Sequence, residues 1–199
     1  MTRVKLCGLR SEADVRTVLE LRPDYAGFIL SGGFRRSIEY DTFITMSAML
    51  KDSGIMRVGV FVNEPLDSLV GRFSEGIDVI QLHGSESEQY ISALRKHTDK
   101  PIIKAFTIKS AADIEAARAS SDDYVLLDSG TGTGSTFDHS LIKDIGRPFF
   151  LAGGLTSENV GEAIRRFEPF AVDASSSLEI DGVKDKVKMA AFVKAVRNA

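Results

Sequence analysis

The stretch Tyr124-Val-Leu-Leu-Asp-Ser-Gly-Thr-Gly-Thr-Gly-Ser-Thr-Phe-Asp138 joins a short aliphatic run to an acid and then to a glycine-rich segment. The aliphatic run is typical of a buried strand that stops at Asp128. The glycines Gly130, Gly132 and Gly134 leave their N–H groups unobstructed by Cβ atoms, as close approach to an anion requires. No Gly-Lys-Ser/Thr follows, which excludes a Walker A motif, and the Gly-x-Gly-x-x-Gly fingerprint does not fit. Alone, the stretch is compatible equally with an anion cradle beside an acid and with a polar loop.

The composition predicts an ordinary globular protein. The chain has 199 residues, 43% of them hydrophobic, with one cysteine, three histidines and a net charge of -3. One cysteine excludes an internal disulfide, and scattered histidines argue against a zinc site, so no metal is expected. The charged start and the lack of a long apolar run predict a cytoplasmic protein. Interspersed charges argue against nucleic-acid and membrane partners, so any phosphate must be bound locally.

Strand and helix patterns alternate along the whole chain. About eight strand-helix units predict an α/β protein, a (β/α)8 TIM barrel that forms a single domain over residues 1–199. A doubly wound open sheet is the alternative that alternation alone leaves open. The predicted strands are Arg3–Leu6, Tyr25–Leu30, Arg57–Val62, Val79–Leu82, Pro101–Phe106, Tyr124–Leu127, Pro148–Ala152 and Phe170–Val172. A first helix is predicted over Ser11–Leu21, and later ones begin near Asp41, Pro65, Ser87, Ser110, Asp138, Ser157 and Asp185.

The residues at the predicted strand ends are candidates for a site, because these ends converge on one mouth of a barrel. The loops after the last two strands carry Gly153 and Gly154, and Ser175 and Ser176. Barrels commonly hold a substrate phosphate between these two loops with backbone amides. The pattern therefore favours a phosphate site over a tight turn beside a plain polar loop.

Three further side chains at strand ends have both a structural and a chemical interpretation. Cys7 is most simply a buried apolar residue, but beside Gly8 an accessible thiolate could act as a base. His83 is more simply a polar rim residue than a catalyst. Lys104 is most simply a charge that pairs inside the mouth, although a desolvated lysine could form a Schiff base.

Taken in order, the strand-end motifs resemble the phosphoribosylanthranilate isomerase family over essentially the whole chain. The matching segments are Val4-Lys-Leu-Cys-Gly8, Val79-Ile-Gln-Leu-His-Gly84, Leu126-Leu-Asp128 with Phe137-Asp138, Leu151-Ala-Gly-Gly-Leu155 with Asn159-Val160, and Val172-Asp-Ala-Ser-Ser176 with Glu179, Gly182, Lys184-Asp185 and Lys188. The resemblance implies a cofactor-independent rearrangement in tryptophan biosynthesis. In it, N-(5-phosphoribosyl)anthranilate becomes 1-(2-carboxyphenylamino)-1-deoxyribulose 5-phosphate.

The resemblance also implies roles for individual residues. Asp128 would be the general acid that opens the furanose ring, and Cys7 the general base that removes the C2 proton. The residues implied to bind the rest of the substrate are Arg36, His83 and Asp173, and those implied to bind its phosphate are Gly132, Gly153, Gly154, Ser175 and Ser176. A phosphorylated small molecule is the implied partner, and association with another enzyme of the pathway is left open.

The sequence departs from the family pattern in two places. The segment Ser31-Gly-Gly-Phe-Arg-Arg-Ser37 lacks the usual Ser-Pro-Arg, which leaves open whether Arg35 or Arg36 meets the anthranilate carboxylate. Ser177 stands where glycine is usual, so the resemblance does not fix the course of the last loop. The rival hypotheses are a histidine-pathway aminoaldose isomerase, a Schiff-base aldolase that uses Lys104, and a non-catalytic module that binds a phosphorylated ligand.

Overall fold

The computed structural model describes residues 1–73, 75–128, 142 and 145–199. Eight parallel strands close into a barrel in chain order, with β8 hydrogen-bonded to β1. This closure confirms the predicted barrel and excludes the open sheet. The strands are β1 Arg3–Cys7, β2 Tyr25–Ile29, β3 Met56–Phe61, β4 Val79–Leu82, β5 Ile102–Thr107, β6 Tyr124–Asp128, β7 Phe149–Leu151 and β8 Ala171–Ala174.

The described helices follow the strands as the sequence pattern predicts. They are α1 Glu12–Leu21, α2 Tyr40–Leu50, α3 Leu66–Phe73, α4 Glu88–Leu94, α5 Ala111–Ala119, α6 Val160–Phe167 and α7 Lys186–Arg197. Ser11 and Asp14 form a capping box that satisfies backbone N–H groups at the start of α1. Asp185 caps α7 by accepting from the N–H of Lys188. The helix predicted near Asp138 lies outside the described residues.

Strand residues alternate between two apolar layers. On β4, Ile80 and Leu82 belong to the large cluster that includes helix residues, whereas Val79 belongs to a smaller cluster of strand residues such as Val60 and Ile103. Successive strand side chains point to opposite faces, so the smaller cluster fills the barrel interior. Polar residues that lie an even number of positions from an interior residue on the same strand therefore also project into the barrel.

A small hairpin lies between β8 and α7. A single 3-10 turn, Ser176–Leu178, leads into β9 Glu179–Ile180, which pairs antiparallel with β10 Val183–Lys184. Gly182 connects these strands with a φ of 79°, a left-handed conformation that favours glycine. The hairpin thus presents Glu179 and Lys184 beside the loop that follows β8. None of the described helices is long and apolar enough to span a bilayer.

Candidate active site

A cavity of about 380 Å³ opens at the ends of the strands where the candidate residues were predicted. Nine of the ten predicted site residues line it, namely Cys7, Arg36, His83, Asp128, Gly153, Gly154, Asp173, Ser175 and Ser176. The tenth, Gly132, lies outside the described residues. The barrel therefore brings together residues from six strand ends into one space of the size expected for a small-molecule site.

The Cys7 thiol lies beside a buried ion pair. Cys7 is 6% exposed, which agrees with its simplest interpretation as a buried residue, and it also lines the cavity. Lys5, two residues earlier on β1 and fully buried, donates from Nζ to Asp173 Oδ2 over 2.9 Å. Burial raises the pKa of the Cys7 thiol above its ordinary value, and the Lys5 ammonium works in the opposite direction. The site thus holds a desolvated thiol whose ionised form has a cation as neighbour.

Lys5 remains a cation despite its burial. Desolvation, the largest single effect, lowers the pKa of the Lys5 ammonium, but the charges and hydrogen bonds of Asp173 and Cys7 together outweigh it and raise the pKa of Lys5. The pair depends on barrel closure, since Lys5 and Asp173 are register partners across β1 and β8. The second oxygen of Asp173, Oδ1, is buried and accepts no hydrogen bond from any described residue.

Asp128 ends β6 and faces His83. The His83 Nε2 atom lies 3.5 Å from Asp128 Oδ2, and both side chains are partly exposed to the cavity. On its other side, His83 Nδ1 lies 2.8 Å from Nε2 of Gln81, which is 1% exposed. A chain of three polar side chains therefore runs from the barrel interior to the carboxylate at the mouth.

Both candidate arginines meet one carboxylate. Arg36 contacts Glu179 with two nitrogens, Nε to Oε1 at 2.5 Å and Nη2 to Oε2 at 3.0 Å. Arg35 also donates to Glu179 Oε2, at 2.7 Å, and Lys184 donates to Oε1 at 2.8 Å. Burial alone would raise the pKa of Glu179, but its contacts with Arg36 and Lys184 lower that pKa to about 2. Glu179 thus gathers three cations at the edge of the cavity and fixes the direction of the Arg36 guanidinium.

The exposure of the two arginines separates them. The Arg36 side chain is 19% exposed, whereas that of Arg35 is 57% exposed. A Cβ on Gly8 would lie 2.7 Å from Arg36 Cδ and 2.9 Å from Ser175 Oγ, so a glycine here lets Arg36 lie against the loop after β8. Gly8 also has a φ of 74°, which other residues rarely adopt. Arg36 is therefore the more firmly placed of the two.

The loops after β7 and β8 line the cavity with Gly153, Gly154, Ser175 and Ser176. Gly153 and Gly154 have φ values of 87° and 65°, a turn that glycine adopts without strain. The Asn159 side chain holds this turn by accepting from the N–H of Thr156 at 2.8 Å and donating to the Gly154 carbonyl at 2.9 Å. The Lys184 ammonium donates to the Ser175 carbonyl at 2.9 Å, which ties the second loop to the hairpin. These loops have the position and chemistry of an anion site.

Lys104 takes no part in the cavity wall. Its Nζ donates to the Gly84 carbonyl at 2.7 Å and to Glu86 Oε2 at 3.0 Å, so it pairs within the mouth as predicted. This arrangement disfavours the aldolase hypothesis. Among the residues that the structure describes, no three His, Cys, Asp or Glu side chains converge in a way that could hold a metal ion.

The sequence interpretation assigned no catalytic or binding role to Lys5 or Gln81 and named Glu179 and Lys184 only as parts of a motif. One available signal was strand parity: Lys5 shares the parity of Cys7, and Gln81 that of His83. A lysine or glutamine that points to the same face of a strand as a catalytic candidate is itself a candidate for a place in the site. The parity could not show which partners they meet across the barrel.

Comparisons with known proteins agree with this geometry. Residues 4–195 match the family model described as N-(5'phosphoribosyl)anthranilate (PRA) isomerase. The N-(5'-phosphoribosyl)anthranilate isomerase of Endomicrobium trichonymphae is 40% identical over 204 residues, covering all of both chains. The enzyme of the same name from Thermoanaerobacter sp. strain X514 is 38% identical, covering 99% of this chain and 98% of its own.

Solved structures show the same relationship. The phosphoribosyl anthranilate isomerase of Thermus thermophilus superimposes with a TM-score of 0.88 at 30% identity, over 99% of each chain. A phosphoribosyl anthranilate isomerase in complex with reduced 1-(o-carboxyphenylamino)-1-deoxyribulose 5-phosphate superimposes with a TM-score of 0.87 at 33% identity, over all of both chains. The chain therefore belongs to the phosphoribosylanthranilate isomerase family.

Proposed function

We propose that the chain converts N-(5-phosphoribosyl)anthranilate into 1-(2-carboxyphenylamino)-1-deoxyribulose 5-phosphate, a step of tryptophan biosynthesis, with Asp128 as general acid and Cys7 as general base. The observation that carries the proposal is the single cavity lined by both residues and by the loops after β7 and β8. A family member of the same fold binds a reduced form of this ketose. The reaction moves hydrogen within one molecule, so the proposed steps use only acid and base groups of the chain.

Asp128 supports the first step. In the proposed mechanism, its carboxyl group protonates the furanose ring oxygen, the C1–O bond breaks, and the nitrogen lone pair forms a C1=N iminium. Proton transfer leaves Asp128 as a carboxylate. This carboxylate gains a hydrogen bond if His83, whose Nε2 lies 3.5 Å from Asp128 Oδ2, directs an N–H toward it. Contacts of this length in a ligand-free site can tighten once substrate is bound.

Cys7 supports the second step. The cationic iminium acidifies the C2–H bond, and the Cys7 thiolate takes this proton, so that the C–H electrons form an enolamine. A proton then adds to C1 and the C2 hydroxyl loses its own, which gives the ketone. Burial raises the pKa of the Cys7 thiol, so the thiol ionises less readily but its thiolate is a stronger base. The neighbouring Lys5 ammonium favours the ionised form.

The remaining groups suit the two ends of the substrate. The N–H groups of the turn at Gly153 and Gly154 and those near Ser175 would hold the phosphate. Arg36 would meet the anthranilate carboxylate, for which its planar guanidinium is matched. Asp173 Oδ1 lacks a donor among the described residues, and a hydroxyl or the amine of the substrate would supply one.

The test is turnover of freshly generated phosphoribosylanthranilate, followed by loss of its fluorescence. Cys7→Ser and Asp128→Asn should each lower kcat by about a hundredfold or more, the range typical of a lost acid or base. Asp67→Asn, an exposed change of the same chemistry on α3, is the control and should keep full activity. Full activity in Cys7→Ser would remove the proposed base. Absence of turnover in the folded, unmodified chain would refute the isomerase.

A further inference from the structure

Gln81 is a buried polar side chain that lines the cavity between two apolar strand neighbours. It is 1% exposed, and its register partners are Val60 on β3 and Ile103 on β5, both members of the interior apolar cluster. A primary amide in such surroundings destabilises the fold unless its polar atoms are hydrogen-bonded. The hydrogen-bond partners of its amide nitrogen and amide oxygen therefore show what a glutamine provides at this position.

The nitrogen end of the amide has a partner and the oxygen end has none. Nε2 lies 2.8 Å from His83 Nδ1, whereas Oε1 is buried and accepts no hydrogen bond from any described residue. Packing alone would be served better by an apolar residue of the same size. The contact that distinguishes glutamine from such a residue is the one with His83.

This contact selects one tautomer of the neutral His83 imidazole. A neutral imidazole carries one proton, so a nitrogen that accepts from an amide leaves the proton on the other nitrogen. With Gln81 donating to Nδ1, the proton is on Nε2, the atom that lies 3.5 Å from Asp128 Oδ2. An N–H is attracted to a carboxylate and a lone pair is repelled by it, so both contacts of His83 favour the same tautomer.

We propose that Gln81 is a positioning residue that holds His83 in the Nε2–H tautomer and thereby keeps the proton of Asp128 available to the substrate, an inference that rests on the proposed role of Asp128. A bare Nε2 would accept the Asp128 proton and hold it away from the cavity. A protonated Nε2 cannot accept it and instead stabilises the carboxylate that proton transfer leaves behind. Gln81, which also lines the cavity, thus acts on the acid through its contact with His83.

The first test needs no turnover. The protein is uniformly labelled with ¹⁵N and studied at a pH at which the His83 imidazole is neutral. Two-bond ¹H–¹⁵N correlation spectra then report which ring nitrogen carries the proton. The spectrum of a His83→Asn variant separates the His83 signals from those of His97 and His139. The expected result is the Nε2–H tautomer in the unmodified chain, and a proton on Nδ1 in Gln81→Glu, whose carboxylate can only accept. An Nδ1–H tautomer in the unmodified chain would overturn the proposal.

The second test is a double-variant cycle. Gln81→Met keeps the approximate volume and removes the amide; it should lower kcat about tenfold or more and leave KM within about twofold, because a wrong tautomer impairs chemistry rather than binding. In a His83→Asn background, the same change should alter kcat by less than about twofold, since the two residues act in series. Equal losses in both backgrounds would assign Gln81 a structural role and overturn the proposal.

The two tests separate this proposal from the proposed function. If Asp128→Asn retains full activity, the acid role fails, whatever tautomer His83 shows. If Asp128→Asn is inactive and His83 carries its proton on Nδ1, the acid role stands and the role of Gln81 fails.

Discussion

Replacement of Glu179 by glutamine should destabilise the fold in a pH-dependent manner. The carboxylate of Glu179 contacts Arg35, Arg36 and Lys184, and its side chain is 5% exposed. Its pKa falls from an ordinary 4.5 to about 2. This difference corresponds to about 3 kcal/mol of stability at neutral pH, since each tenfold change in proton affinity is worth about 1.4 kcal/mol.

The direction of the pH effect follows from the lowered pKa. The ionised Glu179 is stabilised in the folded state, so its contribution is complete above about pH 4.5 and is lost as the pH falls toward about 2. The difference in unfolding free energy between the unmodified chain and Glu179→Gln should therefore be about 3 kcal/mol at pH 7 and shrink on acidification.

The assay is urea unfolding at constant ionic strength at pH 7, 5 and 3. Taking the difference between the two proteins removes the contributions of the other carboxylates. Glu115→Gln is the matched control, because Glu115 pairs with Arg118 on the surface of α5 and its side chain is 68% exposed. That variant should change stability by less than about 1 kcal/mol at every pH. A Glu179→Gln difference that stays constant from pH 7 to pH 3 would refute the reasoning.

Three other changes give separate checks. Lys5→Met should cost about 3–5 kcal/mol of unfolding free energy, because it leaves Asp173 buried beside the apolar replacement without its cation; in urea titrations, a loss below about 1 kcal/mol would contradict the buried pair. Alkylation of Cys7 by iodoacetamide should keep accelerating as the pH passes 9.0, the ordinary pKa of a thiol, because burial raises the pKa of Cys7 and the thiolate is the form that reacts; a rate that levels off below pH 8 would contradict this. Gly27→Ala should lower kcat, because its Cβ would lie 2.7 Å from Cys7 Sγ and displace the thiol; Gly71→Ala on α3, with no atom within 4 Å, is its control and should keep full activity.

The sequence predicted the barrel because its signals are local. Aliphatic runs and capped helices repeat along the chain, and the strand β4 begins and ends where it was predicted. Other strand boundaries differ by one or two residues: β1 extends to Cys7 and β3 begins at Met56 rather than Arg57. Strand ends depend on hydrogen bonds to neighbouring strands, which local pattern does not contain.

Sequence reasoning could identify those site residues that stand at the ends of predicted strands. Cys7, His83 and Asp128 were identified in this way, and all three line the cavity. The pair of Lys5 with Asp173 joins residues 168 positions apart and depends on the register of β1 with β8, so the sequence gives no local sign of it.

The meeting of Arg36 with Glu179 likewise depends on the hairpin after β8. That hairpin brings together residues 143 positions apart. The sequence left the choice between Arg35 and Arg36 open, because both are adjacent in the same loop. Their different exposure, 57% against 19%, is a property of the folded loop and its neighbours.

The kinetic isotope effect on substrate deuterated at C2 tests the division of labour between Asp128 and Cys7. If Asp128 opens the ring, Asp128→Asn slows a step that precedes C–H cleavage, so the isotope effect on kcat should fall toward unity. If Cys7 removes the C2 proton, Cys7→Ser slows C–H cleavage itself, so the isotope effect should be fully expressed. An isotope effect that is large in Asp128→Asn and absent in Cys7→Ser would contradict the assignment of acid and base.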